Sequence, residues 1–524
     1  MSDFEYDYVI IGSGFGGSVS ALRLSEKSYN VVVIEKGSWK KKSDFPKTNW
    51  NLKKWLWFPI IGFKGIFKLT FFRHLSVISG VGVGGGSLVY ANTLPIPKSN
   101  FFHSGSWQGL DEWEEKLMPF YKIAQKMLGV VKNPKLFDSD LGLKKLGEQN
   151  YGDGKFDATN VGVYFGGSEQ WNADPFFGGE GPERKGCIYC GQCMTGCPHD
   201  AKNSLDKNYL YLAMKNGAKI MDNSFVVDVK PIEGGTGYEV LFRKSGSYFS
   251  KVKKIKTKGV VFAGGVLGTV PLLLSLKKNS MPEISDVLGK DVRSNNEALI
   301  FVTTTDKKYQ MSEGIAIGSI LETSPNSHLE AVRYGKGSGF WRVGLMPMIT
   351  EKNFFIRFVK ILFEFFSSFW KWLRIYFVRK FPERTVILLY MEDLEGKLQI
   401  IGNRILARTK LQDGNPPSAF IPRAHDLAKK YAGNIKGKAS TFFLESLFAI
   451  PSTAHILGGC PIGENKETGV IDKDQKLFGY DDILVCDGSA MSSNPGVNPS
   501  LTITAMTEYT MSKIPRKSNI DNKI

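Results

Sequence analysis

The chain has 524 residues, 42% hydrophobic and 23% charged, with a formal net charge of +17. That length exceeds what one hydrophobic core usually spans, so two domains are expected, and the composition excludes a disordered or fibrous protein. The positive balance points to a negatively charged partner surface. Its Lys and Arg residues interleave with Phe, Trp and Ile instead of forming a pure basic block, which favours an anionic membrane over nucleic acid.

The acidic N-terminus enters an apolar run at once, so no secretory leader is expected. No uncharged apolar run reaches the roughly 18 residues of a membrane span. Six cysteines, four of them in one motif, suit a reducing compartment more than a disulfide framework. The expected location is the cytoplasm, in peripheral contact with a membrane.

Residues 7–11 (DYVII) predict a short strand that runs into a G-x-G-x-x-G turn at 12–17. A helix over 18–27 follows, with Val19, Leu22 and Leu24 at helical spacing, and then a second strand at 31–34 (VVVI) ending on Glu35. This is a dinucleotide-binding unit. Gly12 permits the turn, Gly14 lets the backbone approach a pyrophosphate with Phe15 beside it, and Gly17 lets the helix close on the strand. Glu35 stands eighteen residues past Gly17, where a carboxylate accepts from a ribose 2′-hydroxyl. That acid disfavours NADP, and the position of the unit does not choose between FAD and NAD.

Segment 50–73 is basic and aromatic (WNLKKWLWFPIIGFKGIFKLTFFR). The glycine-dense stretch 80–87 follows, and Gly84, Gly85, Gly86 and Ser87 read as a packed turn facing a flat ligand or its phosphates. Residues 113–128 predict an amphipathic helix.

Residues 187–197 read Cys187-x-x-Cys190-x-x-Cys193-x-x-x-Cys197, with Pro198 next. This is the spacing of bacterial ferredoxins, whose thiolates hold iron–sulfur clusters. With no second set of cysteines, a single four-iron or three-iron cluster is the leading reading. A structural zinc site or four unmetallated thiols are the alternatives.

A helix at 208–217, strands at 225–229 and 259–263, a glycine turn at 264–268 and an apolar helix at 270–276 complete the nucleotide-binding sheet. Residues 301–454 lack such turns and read as a separate, mixed substrate domain. Inside it, 353–381 is almost wholly aromatic and aliphatic apart from Arg357, Lys360, Glu364, Ser367, Ser368, Lys371 and Arg374. On one continuous helix these polar residues fall within about 120° at roughly 100° per residue. A wide apolar face with a narrow basic stripe suits a helix lying in a membrane interface. The alternative is a core helix with one solvated edge.

Near the C-terminus, His455 sits in a glycine-flanked turn (STAHILGG) and is one of six histidines. A lone histidine is more often structural than catalytic. Residues 483–487 predict a strand, Asp487 and Gly488 turn, and Asn498 and Pro499 read as the N-cap and first position of a helix running to about Ser512. The positive end of that helix can face an anion such as a reduced flavin.

The combination of 12–17 with Glu35, 82–92 (GVGGGSLVYAN), 187–211, 453–459 (TAHILGG), 469–472 (GVID) and 487–505 (DGSAMSSNPGVNPSLTITA) resembles the glucose–methanol–choline (GMC) family of FAD-dependent oxidoreductases, in its actinobacterial, cholesterol-oxidase-like branch. The resemblance implies an α/β, Rossmann-like FAD-binding domain (1–100, 200–300 and 455–515). It implies a second, α+β substrate domain with a helix-covered mixed sheet (101–199 and 301–454). It places Gly12, Gly14, Phe15, Gly17, Glu35, 84–87, Asn92, Asp487, Gly488, Asn498 and Pro499 at FAD, and His455 with Asn498 as the catalytic pair. Glu383, with Glu392 as competitor, takes the position of the carboxylate that moves a proton when a steroid double bond shifts. The implied reaction is hydride transfer from the CH–OH group of a lipophilic alcohol, a 3β-hydroxysterol, to the flavin. Because the four-cysteine run is a departure from well-known cholesterol oxidases, electrons are alternatively expected to pass through iron to an acceptor protein or quinone. A soluble-polyol dehydrogenase and a non-enzymatic membrane redox relay are the rival readings.

Overall fold

The computed structural model describes residues 4–518 apart from 248, 405 and 413–415. Its first sheet has seven strands and is centred on Tyr6–Ile11, buried on both faces and therefore without polar alternation. Val31–Ile34 and Lys253–Phe262 flank it in parallel, and Lys219–Met221 extends it beyond Val31–Ile34. The first half of Lys253–Phe262 pairs antiparallel with Tyr238–Lys244, which pairs with Ser224–Pro231. Its second half pairs in parallel with Ile483–Val485. That last pairing brings the C-terminal segment to the same sheet end as the first glycine turn. The helix Phe15–Glu26 makes the crossover between the first two strands. A Cβ on Gly17 would stand 2.0 Å from the Gly12 carbonyl oxygen, so only glycine allows this approach.

The second sheet, also of seven strands, is antiparallel throughout. Its order is Leu345–Pro347, Gly437–Phe442, Ala298–Thr304, Thr385–Glu392, Ser327–Val332, Ile317–Ser324, Phe156–Ala158. Its residues alternate between two buried faces. Val302, Val386, Leu388 and Tyr390 pack on the helices Asp138–Asn150 and Pro422–Asn434. Phe301, Ile387 and Leu389 point the other way, towards Trp341 and a large cavity. Burial on both faces explains why 386–390 (VILLY) reads as an unbroken apolar run.

Most expected elements are present with shifted ends. The helices run Trp113–Met127, Tyr209–Lys215 and Val266–Lys278, and the C-terminal helix runs Ser500–Lys513. The expected single helix over 353–381 is corrected. It is two helices, Phe354–Ser367 and Phe369–Tyr376, that break at Ser368, followed by the turn Phe381–Arg384. Asn353 caps the first by accepting from the Phe355 and Ile356 N–H groups.

The break lets both helices turn one edge inward. Arg357 is buried and donates to the Leu447 and Glu351 carbonyls, Glu364 pairs with Lys438, and Ile361, Trp372 and Ile375 fill the interior. The opposite face is apolar and open: Phe355 is 76% exposed, Phe363 70%, Phe366 77% and Trp370 69%. Among the described residues no helix is long and apolar enough to cross a membrane.

Candidate active site

A cavity of about 1000 Å³ runs from the first glycine turn to the second sheet. Three helix N-termini reach it, at Gly14–Phe15, Gly265–Val266 and Pro499–Ser500. Their unpaired N–H groups and positive dipole ends suit a pyrophosphate and an electron-rich ring. Glu35 lines the same wall. Its carboxylate accepts from Ser13 N–H and Oγ at 3.1 and 2.8 Å and from Gly37 N–H at 2.8 Å, which fixes it facing the ligand space. A Cβ on Gly14 would meet no protein atom closer than 4.0 Å, so the open space beside it belongs to a ligand. These features fit FAD.

Of the other residues expected at the cofactor, Gly12, Phe15, Gly85, Gly86, Asp487, Gly488, Asn498 and Pro499 line the cavity. Asp487 is spent on structure: it accepts from Gly265 N–H, Thr269 Oγ1, Ser489 N–H and Ser489 Oγ, and so ties together two turns. Gly17, Gly84 and Ser87 lie behind the wall. Ser87 Oγ holds the loop by donating to Gly84 O and accepting from Leu205 N–H. Asn92 is corrected: it faces away from this cavity, into a second one beside the cysteines.

His455 lines the cavity at the end of the short strand Ser452–Thr453, which pairs with Ser76–Gly80. Its Nδ1–H donates to Glu297 Oε2 at 2.9 Å, since an ionised carboxylate can only accept. That leaves Nε2 for a substrate hydroxyl. Glu297 Oε1 also accepts from Ala454 N–H at 2.7 Å, from Thr453 Oγ1 and from His455 N–H. Burial alone would lower the His455 pKa, but the Glu297 carboxylate outweighs it and raises His455 above its ordinary value. Burial alone would raise Glu297, and His455, Thr453 and Ala454 together hold it below the ordinary carboxylate value.

Asn498 is buried on the same cavity, and its Oδ1 has no protein partner. The expectation that Asn498 caps the last helix is corrected: the helix opens at Ser500, Pro499 holds the cap position, and the Asn498 carboxamide stays free for a ligand.

Glu383 does not join this group. It is buried in Phe381–Arg384, pairs with Lys380 at 3.5 Å, and lies outside the cavity. Glu392 is likewise outside, bound by Tyr390 and Asn296. The strand Thr385–Glu392 turns its apolar residues, not its flanking acids, to the ligand. Besides Glu35 and Asp487, the cavity is lined by the carboxyl of Glu445, in the helix Phe443–Phe448. Burial first, and Glu297 last among its influences, push it up to about 8. Neither Glu297 nor Glu445 stands out in the sequence, apart from being a lone acid in an apolar context (NNEALI, FFLESL).

The far lobe is lined by Phe301, Tyr334, Trp341, Ile387, Leu389 and Phe442. Phe58, Ile60 and Phe71 line the cavity too and are each more than half exposed, so they mark its mouth.

The four cysteines are free thiols that line a second, smaller cavity together. Among the described residues no group of three or more His, Cys, Asp or Glu side chains is arranged to hold a metal ion.

Family models place residues 180–286 and 406–507 in the GMC oxidoreductase family and residues 10–38 in an NAD(P)-binding Rossmann-like domain. The chain is 40% identical to a cholesterol oxidase of Acinetobacter baumannii, across 100% of this chain and 97% of that one. It is 38% identical to a cholesterol oxidase of Mycobacterium tuberculosis, across 99% and 93%. A crystal structure of pyridoxine 4-oxidase from Mesorbium loti shares the fold, with a TM-score of 0.60 at 13% identity over 97% of this chain and 98% of that one. The chain therefore belongs to the GMC oxidoreductase family. It is an FAD-dependent oxidoreductase acting on the CH–OH group of alcohols.

Proposed function

We propose that the chain oxidises a lipophilic alcohol drawn from a membrane surface, a 3β-hydroxysterol, using His455 and Asn498. The observation that carries this reading is an apolar lobe with an exposed aromatic mouth, in the same cavity that His455 and Asn498 line. A sugar or polyol would strand its hydroxyls against Phe301, Ile387 and Leu389. FAD, when bound, accepts the hydride. His455 Nε2 takes the hydroxyl proton, Asn498 orients the same oxygen, and Glu297 stabilises the imidazolium that results. Sheet one with the C-terminal segment forms the nucleotide domain in this reading, and sheet two forms the substrate domain.

Membrane contact is assigned to the mouth (50–73) and to the outer face of 354–376. Each aromatic ring there gains about 1.5–3 kcal/mol on leaving water, and the +17 charge adds attraction to anionic lipid. Anaerobic mixing with a 3β-hydroxysterol in anionic vesicles should bleach the flavin, whereas glucose and choline should not. Phe363→Asp/Phe366→Asp, on the outer face, should slow bleaching by vesicle-borne sterol about tenfold or more and leave bleaching by detergent-solubilised sterol unchanged. Bleaching by glucose alone, or an unaffected double variant, defeats the respective half of the proposal.

Glu445 replaces Glu383 as the proposed proton carrier for a shift of the steroid double bond. With a pKa of about 8 it is neutral at pH 7 and gains basicity through pH 8. Formation of the conjugated enone, followed by its ultraviolet absorbance, should rise with pH through that value. Glu445→Gln should cut it by about 10²-fold or more, so an undiminished enone yield from the variant rejects the role.

A further inference from the structure

The second cavity lies directly behind the first. Residues 90–93 divide between the two: Tyr90, Ala91 and Thr93 line the flavin cavity, and Asn92 lines the cysteine cavity. In the cysteine loop, Cys193 and Met194 divide in the same way. Lys202 fastens the two loops, donating from Nζ to the carbonyls of Leu88, Tyr90 and Cys193 at 3.0, 2.9 and 2.8 Å. One layer of residues therefore separates the two spaces.

The cysteine side is furnished for an electron-rich group that takes thiolate ligands. Cys187, Cys190, Cys193 and Cys197 all face it as free thiols. The Tyr189 N–H points at Cys187 Sγ at 3.4 Å. The buried Lys202 ammonium lines the same space and supplies positive charge. Asn92 is 0% exposed, sits at φ +71°, and turns its carboxamide to the Cys193 thiol.

We propose that Cys187, Cys190, Cys193 and Cys197 hold one iron–sulfur cluster, and that it takes electrons from the reduced flavin across residues 90–93 and Met194. This rests on FAD occupying the first cavity. Each alcohol oxidised gives up two electrons and two protons, as the hydride and the hydroxyl proton. The two electrons cross to the cluster one at a time and leave from its solvent side, beside the exposed Ile188, to a one-electron acceptor of the quinone or ferricenium type. Both protons return to solvent, one by way of His455. The enzyme then works as a dehydrogenase, independent of oxygen as the acceptor.

The test uses the full chain, purified anaerobically after reconstitution with ferrous iron and sulfide. Iron and acid-labile sulfide should approach about four each per flavin for a four-cysteine site, with an electron paramagnetic resonance signal that appears on adding sterol. Turnover with ferricenium should fall at least tenfold in Cys190→Ser, along with iron content, while the variant keeps its flavin absorbance. Leu141→Ala, at an exposed residue that lines neither cavity, should retain iron and turnover. A yellow protein that bleaches with substrate yet binds no iron overturns this proposal alone. A protein without flavin overturns the reading beneath it.

Discussion

His455→Gln should slow reduction of the bound flavin by alcohol by about 10²–10⁴-fold, with flavin content and folding preserved. The reason is positional. Nδ1 is committed to Glu297, so Nε2 is the free base on the cavity that Asn498, with its unpaired Oδ1, also lines. Glutamine keeps the volume and offers no group that takes a proton near neutral pH. Glu297 is not stranded by the change, because Thr453 Oγ1 and the Ala454 and residue-455 N–H groups still reach Oε1. Single-turnover stopped-flow on the flavin absorbance separates this step from any later electron transfer. A variant that bleaches at the parent rate would leave His455 a structural residue and would favour the redox-relay reading, in which no alcohol chemistry happens there.

The first glycine turn was readable because it is local. Strand, turn, helix and acid occupy thirty contiguous residues, and Gly12 and Gly17 each have a steric reason that the sequence spacing already encodes. His455 and Asn498 were readable only through resemblance, since forty-three residues separate them and Glu297, the partner that orients His455, lies 158 residues before it. Glu383 misled because acids flanking an apolar strand look alike in sequence. Glu383 falls in the helical turn Phe381–Arg384 before the strand, so strand alternation does not aim it, while the strand's register with Ser327–Val332 puts Glu392 on the Tyr390 face, away from the cavity. The 353–381 segment misled in a subtler way. Its polar stripe suggested one straight helix with a wet edge, but Arg357 and Glu364 find Leu447 O and Lys438 inside the fold. Periodicity reports that a face is polar, not whether water or protein satisfies it.

Glu297→Gln should move the acid limb of the pH profile for flavin reduction downwards. In the parent enzyme Glu297 holds the His455 pKa above 6.5, so the neutral imidazole that accepts the hydroxyl proton accumulates only above that raised value. With the carboxylate gone, burial, the largest influence, is opposed only by the weaker Glu330 charge and drives the imidazole pKa down. The limb shifts to lower pH, yet the plateau falls by about 10²-fold or more, because the imidazolium formed in the reaction has lost its counter-charge and the ring its fixed tautomer. Stability changes with the opposite emphasis. The raised His455 contributes stability that is complete below about 6.5 and disappears as pH climbs through its folded value. The depressed Glu297 contributes stability that is complete above about 4.3 and disappears as pH falls through its folded value. The pair is thus worth most between those limits, and thermal melts of parent and variant should differ most near pH 5–6, at roughly the midpoint of that window, and converge towards pH 9, on the order of two units above the ordinary histidine value. A downward limb shift with an undiminished plateau would reduce Glu297 to a pKa modifier. An unmoved limb would mean that a group other than His455 takes the proton.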